Sequence, residues 1–460
     1  MSTPLYVSLT DKAFLRLHHG YGAPVISQAL LVLDEPLPEQ EVRNSYELLR
    51  AGPLARRVRH PAVPLARARW VPTDTAYPLD IQHAAVDEAD IVAWGNDQAQ
   101  FRLDPEAGYG WRLSVAPTRT GGMVISFIAS HAVVDGHSGL LAAAVLIHPE
   151  LATKNDLDGE VRLREDLVDG MRRGVTVARQ AWSEARRAVR DPRHRAALRA
   201  ALRRPASLPE RGGAGWEERS AVLTFDAAQW NSVAARYGGT SNTLYLALAA
   251  EMLRHCSLVD VDTPLVLMTA VRMLREQHQL DSNSFSRVPI PVQREWLDNR
   301  DLTALRRASK AAFGATAPVG SGATSRPRRM PPDLIDVLPD GVVHRLAEPT
   351  PLTVGMCSNM GVLDPFLASG VGTRTSMFAV RAVFQGLDVE QAARQPIALA
   401  TWLSEYRGKV QWVLEGLKPE MARSDRALSL LAGRIADSWG LTPVDIHTSG
   451  GMAAIERRVS

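Results

Sequence analysis

The sequence predicts an α/β fold in which strands and helices are interleaved in both halves of the chain. Two observations support this prediction. Short apolar or β-prone runs alternate along the chain with longer segments of helical periodicity. The composition, with 45% hydrophobic and 22% charged residues over 460 positions, is that of a globular chain with a sizeable core. This length suits two or three domains, or one two-lobed architecture.

In the first half, two apolar runs predict buried strands, and a pair of glycines predicts a hairpin turn before the second. A loop containing proline separates the first strand from a helix, and a further helix follows the last strand. The predicted elements are strands at Val25–Leu33, Trp111–Ala116 and Met123–Ala129, and helices at Glu39–Arg50 and Gly139–Ile147.

The middle of the chain is rich in Arg and Ala and predicts a long helix from about Met171 to Arg190. An apolar stripe recurs there at steps of three and four, and arginines surround it. We expect the stripe to pack on the body of the protein, and the outer arginines to be a solvated face or to attract an acidic carrier protein, a coenzyme A phosphate or anionic lipid. The stripe consists of Met171, Val175, Ala178, Trp182, Ala185 and Val189.

A second Ala/Arg helix ends near Arg204, and Pro205–Gly215 has the composition of a linker. We therefore predict an N-terminal lobe at 1–160, a helical connector at 161–215 and a C-terminal lobe at 216–460. In that lobe we predict strands at Ala221–Phe225, Leu265–Ala270, Met377–Phe384 and Val410–Leu414, helices at Ala227–Tyr237, Asn242–His255 and Asp425–Gly440, and a surface loop at Pro318–Pro332.

Composition and missing motifs exclude several function classes. A net charge of +3 is weak support for nucleic-acid binding. The chain has no phosphate-binding loop, dinucleotide fingerprint, nucleophile elbow, HExxH or CxxC. Two cysteines, Cys256 and Cys357, suit a reducing compartment and are expected to be buried small residues. The start of the chain does not resemble a secretion signal, and no apolar run could span a bilayer, so we expect a cytoplasmic location.

One segment concentrates groups able to carry chemistry: Ser130-His131-Ala132-Val133-Val134-Asp135-Gly136-His137. His131 follows a predicted buried strand directly, and an unprotonated imidazole can act as a general base near neutral pH. The alternatives are a surface turn with a chance His and Asp, or a metal site that includes His137. The spacing fits no familiar set of metal ligands, so no metal is expected. The adjacent His18 and His19 are expected to lie in a surface loop.

This segment resembles the HHxxxDG motif of the chloramphenicol acetyltransferase-like superfamily. That superfamily includes condensation domains, bacterial wax ester synthase/diacylglycerol acyltransferases and polyketide-associated acyltransferases. The opening SLTDKAFLRL is similar to the start of the wax ester synthase group. GGTSNTLYLALAAEMLR resembles the family's Gly-Thr-x-Asn helix, Ser282-Asn283 lies where Gly-Asn is common, and Ser358-Asn359 resembles the family's Ser-Asn loop. The first histidine of the motif is Ser130 here, which departs from the family pattern.

The resemblance implies two chloramphenicol acetyltransferase-like lobes in a V-shaped pseudo-dimer with a central tunnel. It implies an acyltransferase that moves an acyl group from a thioester, on coenzyme A or on a carrier protein acting in trans, to a hydroxyl or amine. His131 would be the general base in a catalytic motif completed by Asp135 and Gly136, with no cofactor. The resemblance also implies that Asp135 is structural and pairs with an arginine, for which Arg272 is the candidate.

Further residues are candidates for substrate or oxyanion contacts: Ser130, Asn283, Ser284, Ser358 and Asn359. Each could equally be a loop residue with ordinary turn chemistry. Ser130 keeps a second hypothesis open, in which the chain is a non-catalytic binding or docking module on the same fold. Contact with a membrane surface, but no nucleic-acid partner, is compatible with the sequence.

Overall fold

A computed structural model of the chain describes residues 4–160, 162–204, 215–256, 265–272, 283, 285–315, 330–346, 354–363, 370 and 374–448. The predicted linker Pro205–Gly215 and the predicted loop Pro318–Pro332 fall almost entirely outside these ranges.

The helices are α1 Leu9–His18, α2 Glu39–Arg50, α3 Ile91–Ala99, α4 Gly136–Val145, α5 Leu163–Arg190, α6 Pro192–Leu202, α7 Ala227–Arg236, α8 Ser241–His255, α9 Arg294–Asp298, α10 Leu302–Gly314, α11 Pro332–Val337, α12 Asp340–Leu346, α13 Val389–Arg394 and α14 Asp425–Ser438. The strands are β1 Val25–Leu33, β2 Arg56–Arg59, β3 Arg69–Pro72, β4 Asp80–Ile81, β5 Trp111–Pro117, β6 Met123–Ser130, β7 Arg219–Asp226, β8 Leu265–Arg272, β9 Phe285–Val292, β10 Val354–Val362, β11 Thr375–Phe384, β12 Ile397–Tyr406, β13 Lys409–Gly416 and β14 Asp445–Thr448.

The predicted α/β architecture is confirmed, with a main sheet in each half. The first sheet has five strands in the order β11-β1-β6-β5-β4. Its central strands β1 and β6 are apolar on both faces because helices and the second sheet cover them. The hairpin between β5 and β6 turns at Gly121, whose φ of 92° favours glycine.

The second sheet has seven strands in the order β14-β7-β13-β12-β10-β8-β9. Helix α8 lies in the core of this half and is buried on every side from Thr243 to Leu253, where all side chains except Thr243 and Glu251 are apolar or aromatic. Its N-terminus is defined by Thr240, which accepts a hydrogen bond from the Thr243 backbone N–H. A side chain at Gly239 would overlap Thr243 and Leu302, so this tight entry requires glycine.

The two halves interlock, because strand β11 from the C-terminal half completes the N-terminal sheet. It pairs antiparallel with β1, from Val25 opposite Phe384 to Leu33 opposite Thr375. This crossing strand was not part of the predicted division into lobes, and the predicted lobe boundaries themselves stay a prediction. As a consequence, the cleft between the two sheets is bordered by strands from both halves.

A buried ion pair joins the two sheets. Arg381 of β11 and Glu415 of β13 are separated by 2.8 Å and are almost completely buried. The guanidinium also donates to Gln28 of β1 and Ser220 of β7. The pKa of the nearby Glu218 carboxyl is raised well above its usual range, mainly because the group is buried and also because Glu415 repels its charge. Since two carboxyl groups flank one guanidinium, a proton on Glu218 keeps this cluster close to neutral.

The sequence placed most elements within a few residues, but it was wrong about how α5 packs. The apolar stripe of α5 faces outward, with Met171, Trp182 and Val189 all exposed. The buried positions are instead Asp166, Asp169, Gly170 and Arg173. Periodicity detects a stripe but not its direction, and here polar partners on the body of the protein hold the charged face. Among the described helices, none is both long enough and apolar enough to cross a membrane.

Candidate active site

The strand β6 delivers His131 to the cleft between the sheets. The His131 backbone N–H donates to the Val25 carbonyl, which extends the β1–β6 pairing by one position. Directly afterwards, the N–H groups of Val133 and Val134 donate to the Ser130 carbonyl and turn the chain. Helix α4 then begins at Gly136. The imidazole is therefore held between a strand and a helix, on a short and well-bonded loop.

A cavity of about 430 Å³ lies beside His131, and strands of both sheets line it. Most of its wall is apolar, including Phe127 and Val380 of the first sheet and Met356 and Trp402 of the second. A mainly apolar lining of this kind accommodates an alkyl or acyl chain better than a charged molecule. His131 is thus a polar group at the border of a mainly apolar cavity.

Aromatic rings fix the plane of the His131 imidazole. Phe14 of α1 stacks on it, with centroids 4.2 Å apart and an angle of 11° between the planes. Phe285 of β9 approaches from the other half at 5.9 Å. Burial lowers the pKa of His131 below its ordinary value, because the charged form would lose its hydration. At neutral pH the ring is unprotonated on one nitrogen, as a general base requires.

Asn283 determines which nitrogen of His131 carries the proton. The amide Nδ2 of Asn283 donates to the His131 carbonyl at 2.7 Å and to Asp11 Oδ1 at 2.9 Å. Both amide hydrogens are used, so Oδ1 is an acceptor, and it lies 3.1 Å from His131 Nδ1. Nδ1 therefore carries the hydrogen, and the lone pair of the neutral ring is on Nε2.

Asp11 holds Asn283 in place by accepting a hydrogen bond from its amide. This residue was not identified from the sequence. It is 2% exposed. Its Oδ2 accepts hydrogen bonds from the Ser8 backbone N–H and from Trp70 Nε1. The pattern Ser8-x-x-Asp11 is a capping box at the start of α1. That pattern could have located the helix start, but the contact with Asn283, 272 positions away, is beyond any local pattern.

The structure also explains how Ser130 is accommodated. Ser130 is completely buried, and its Oγ lies 2.9 Å from Nε2 of His18. The Oγ accepts a hydrogen bond from the Ala132 N–H. Burial lowers the pKa of His18 to about 4, so the ring is neutral and one hydrogen is shared between its Nε2 and the Ser130 hydroxyl. The sequence-based placement of His18 in a surface loop is therefore wrong, whereas His19 is exposed as expected.

Asp135 has a structural role that the structure shows directly. It precedes α4, and its Oδ1 accepts hydrogen bonds from the Ser138 N–H at 2.8 Å and the Ser138 hydroxyl at 2.9 Å. The predicted pair with Arg272 is not tested, because the side chain of Arg272 lies outside the described residues. Gly136 also borders the cavity, where an added Cβ would lie 3.3 Å from Met360. Glycine here admits a close approach between α4 and β10.

The remaining candidates lie on the opposite wall of the cavity. Ser358 and Asn359 of β10 both line it. The side chain of Asn359 donates to Asn242 at 2.9 Å and accepts from the Gly361 N–H. The Ser358 N–H donates to the hydroxyl of Tyr245. Helix α8 therefore holds this part of β10 in place, and the Ser-Asn loop expected from the sequence is part of a strand. Ser284, a further candidate, lies outside the described residues.

The alternative of a metal site concerns three residues of the motif. His131, Asp135 and His137 all border the cavity. Among the described residues, no group of three or more His, Cys, Asp or Glu side chains is arranged to hold a metal ion. The two cysteines are buried, as predicted, and burial raises the pKa of each thiol to about 12.

The fold is that of the condensation enzymes and wax ester synthases. The first condensation domain of the CDA synthetase superposes with a TM-score of 0.56 and 14% sequence identity, over 95% of this chain and 97% of that one. The wax ester synthase/diacylglycerol acyltransferase from Marinobacter aquaeolei VT8 gives 0.53 and 16%, over 95% and 100%. Polyketide synthase associated protein 5 from Mycobacterium tuberculosis gives 0.52 and 12%, over 95% of this chain.

No protein-family model matches the sequence. A sequence search of curated proteins also finds no match. The structural similarity therefore confirms the two-lobed fold expected from the SHAVVDG motif, at sequence identities low enough that it establishes the fold alone.

Proposed function

We propose that this protein is an acyltransferase in which His131 is the general base. The observation that carries the proposal is the bonding of His131: Asn283 holds the proton on Nδ1 and leaves Nε2 free. The structural neighbours, which include a condensation domain and a wax ester synthase, support the same class of reaction.

In the proposed reaction, Nε2 of His131 takes the proton from an acceptor hydroxyl or amine as its oxygen or nitrogen attacks the thioester carbonyl. The C–S bond then breaks, and the imidazolium returns the proton to the leaving thiolate. The product is an ester or an amide, and the released group is a free thiol. Every step uses one side chain and the two substrates.

The apolar cavity supports an acyl donor. Its lining of Phe127, Met356, Val380 and Trp402 matches a hydrocarbon chain, and burial of each methylene contributes about 0.8 kcal/mol. The donor is a thioester of coenzyme A or of a carrier protein, both of which present the same phosphopantetheine arm. Ser358 and Asn359 face the same cavity and are candidates for contacting the carbonyl oxygen as it gains negative charge.

The test is to incubate the full chain with acyl-coenzyme A donors of several chain lengths and with a panel of alcohols and amines. Mass spectrometry of the mixture detects esters or amides, and a thiol reagent detects released coenzyme A. The same panel is repeated with an acyl-loaded carrier protein as donor.

Product formed by the parent protein and lost in His131→Ala is the expected result. A protein that binds acyl donors with measurable affinity but yields no product with either donor class would contradict the proposal. That outcome would support the alternative of a non-catalytic binding module.

A further inference from the structure

Helix α5 exposes its apolar face and buries charged residues, which is the opposite of an ordinary surface helix. Its outer stripe consists of Met171, Val175, Ala178, Trp182, Ala185 and Val189, and all six side chains are exposed. The largest of them are the most exposed: Met171 at 65%, Trp182 at 67% and Val189 at 74%. A surface helix normally buries its apolar face and exposes its charged face.

Ion pairs hold the polar face of α5 against the body of the protein. Asp169 pairs with Arg67 at 2.6 Å, and Arg173 pairs with Asp336 at 2.6 Å. One turn before Asp169, Asp166 pairs with Arg69 at 2.5 Å. These contacts lie on the side opposite the outer stripe, so they fix the rotation of the helix about its axis. The outward position of the stripe is therefore built into the structure.

A row of arginines runs alongside the outer stripe. Arg172, Arg179, Arg186 and Arg190 lie about 60 to 100° around the helix from the stripe. All four are exposed, and none forms an ion pair with another described residue. The acidic residue of this stretch, Glu184, faces inward and contacts His194. The outer surface of α5 from 171 to 190 is thus apolar and cationic.

We propose that α5 lies on the surface of a bilayer containing anionic lipid, with the outer stripe inserted among the headgroups. An apolar stripe with cationic residues along its edge is the pattern of interfacial helices. Tryptophan favours this interface because its ring is apolar and its N–H remains able to bond. The stripe lies on one unbroken helix and is about 27 Å long from Met171 to Val189, which fits a planar surface better than a small globular partner.

This inference does not depend on the chemistry proposed for His131. It rests on charge complementarity between lipid phosphates and four arginines that form no ion pair with a described residue. Each such arginine increases the membrane partition coefficient about fivefold. An acidic carrier protein could also attract the arginines, and a second copy of the chain could cover the stripe. Binding assays with each of these partners distinguish them from a bilayer.

The experiment is co-sedimentation of the full chain with vesicles of phosphatidylcholine alone, or of phosphatidylcholine with one-third phosphatidylglycerol. We expect binding to the anionic vesicles that weakens as salt is raised, because exposed charges are screened over about 10 Å at 0.1 M salt. The triple variant Arg172→Gln, Arg179→Gln, Arg186→Gln should reduce the partition coefficient about 100-fold. Its matched control is Arg306→Gln, Arg307→Gln, Arg426→Gln, three exposed arginines elsewhere, which should bind as the parent does.

A second pair of variants tests the apolar contribution. Val175→Ser with Trp182→Ser should reduce vesicle binding by about tenfold or more. The control, Leu430→Ser with Val444→Ser, removes two comparably exposed apolar side chains outside α5 and should have no effect. His131→Ala should bind vesicles like the parent, so failure of the proposed chemistry would not be mistaken for failure of this surface.

Three results would overturn the proposal. The first is no vesicle binding, or equal binding to neutral and anionic vesicles. The second is binding to a purified acidic acyl carrier protein that is lost in the arginine triple variant, without vesicle binding. The third is a concentration-dependent dimer, measured by sedimentation, that Trp182→Ser disrupts and that does not bind vesicles.

Discussion

Asn283 and His131 belong to opposite halves of the protein, yet one amide makes two hydrogen bonds to the same histidine. Oδ1 of Asn283 lies 3.1 Å from Nδ1 of His131, and Nδ2 lies 2.7 Å from the His131 carbonyl. A single side chain therefore fixes the position, the tautomer and the exposed nitrogen of the proposed base. It also makes the chemistry depend on how the two halves sit against each other.

Asn283→Leu should lower the turnover number by about 10- to 100-fold, because the imidazole loses the acceptor that holds hydrogen on Nδ1. Asn283→Asp keeps an acceptor for Nδ1 but loses both amide hydrogens, which bond to the His131 carbonyl and to Asp11, and it places a negative charge beside the ring. It should raise the pKa of His131 and move the acid limb of the pH profile upward. Steady-state kinetics across pH separates these outcomes. An unchanged turnover number and pH profile in both variants would remove Asn283 from the site.

The rate should depend on pH through His131. Burial lowers the pKa of this imidazole below its ordinary value of about 6.5. The active form is neutral, so kcat/KM should be constant above about pH 7 and fall tenfold per pH unit below the pKa of the folded protein. Measurement from pH 4.5 to 8 tests this. An acid limb centred above about 6.5 would show that the active group is not a buried, neutral histidine.

The contact between His18 and Ser130 predicts a specific exchange. Ser130 is fully buried, so Ser130→His alone should overfill the space beside His18 and cost about 1–3 kcal/mol of stability. The double variant Ser130→His, His18→Ser should recover most of that loss. Ser130→Ala, which removes the hydrogen bonds of the hydroxyl to His18 and to the Ala132 N–H, should cost about 1–3 kcal/mol. Chemical denaturation measures all four proteins. Equal loss in the single and double variants would refute the proposed sharing of space.

Asp135 should prove structural, with two separable contributions. Asp135 is the N-cap residue of α4. Asn can still accept the capping hydrogen bond and Ala cannot, so the Asp135→Asn protein should be more stable than the Asp135→Ala protein by about 1 kcal/mol. Any charge pair with Arg272 is lost in both variants, and breaking a buried pair costs about 3–5 kcal/mol. A double-mutant cycle with Arg272→Ala should show a coupling above about 1 kcal/mol. Strict additivity would mean that Arg272 is the wrong partner, while the cap would remain.

Local patterns predicted the parts of the fold that local chemistry determines. The strand Val25–Leu33 and the helix Glu39–Arg50 have the predicted bounds, because an apolar run or a periodic face defines each of them. Helix α4 starts three residues earlier than the predicted Gly139, since Asp135 caps it and no apolar residue marks that first turn.

The parts that escaped prediction depend on contacts between distant residues. Nothing in the sequence near Thr375–Phe384 shows that this strand belongs to the N-terminal sheet. The stripe of α5 was found by its period, but its direction follows from partners such as Arg67 and Asp336. In the site, the motif led to His131 and the resemblance led to Asn283. Asp11 and Phe14 were missed, because their roles arise only when α1 packs against the loop after β6.

In the proposed reaction His131 transfers a proton during acyl transfer, so removal of its imidazole is the most direct test. Once the acyl-donor panel has identified a productive donor and acceptor, the turnover numbers of the parent, His131→Ala and His83→Ala are compared. His83 is exposed and does not line the cavity, so its variant controls for the loss of any histidine. Circular dichroism and the melting temperature establish that each protein is folded. The account predicts a loss of about 100-fold or more for His131→Ala alone. Full turnover by a folded His131→Ala protein would contradict it.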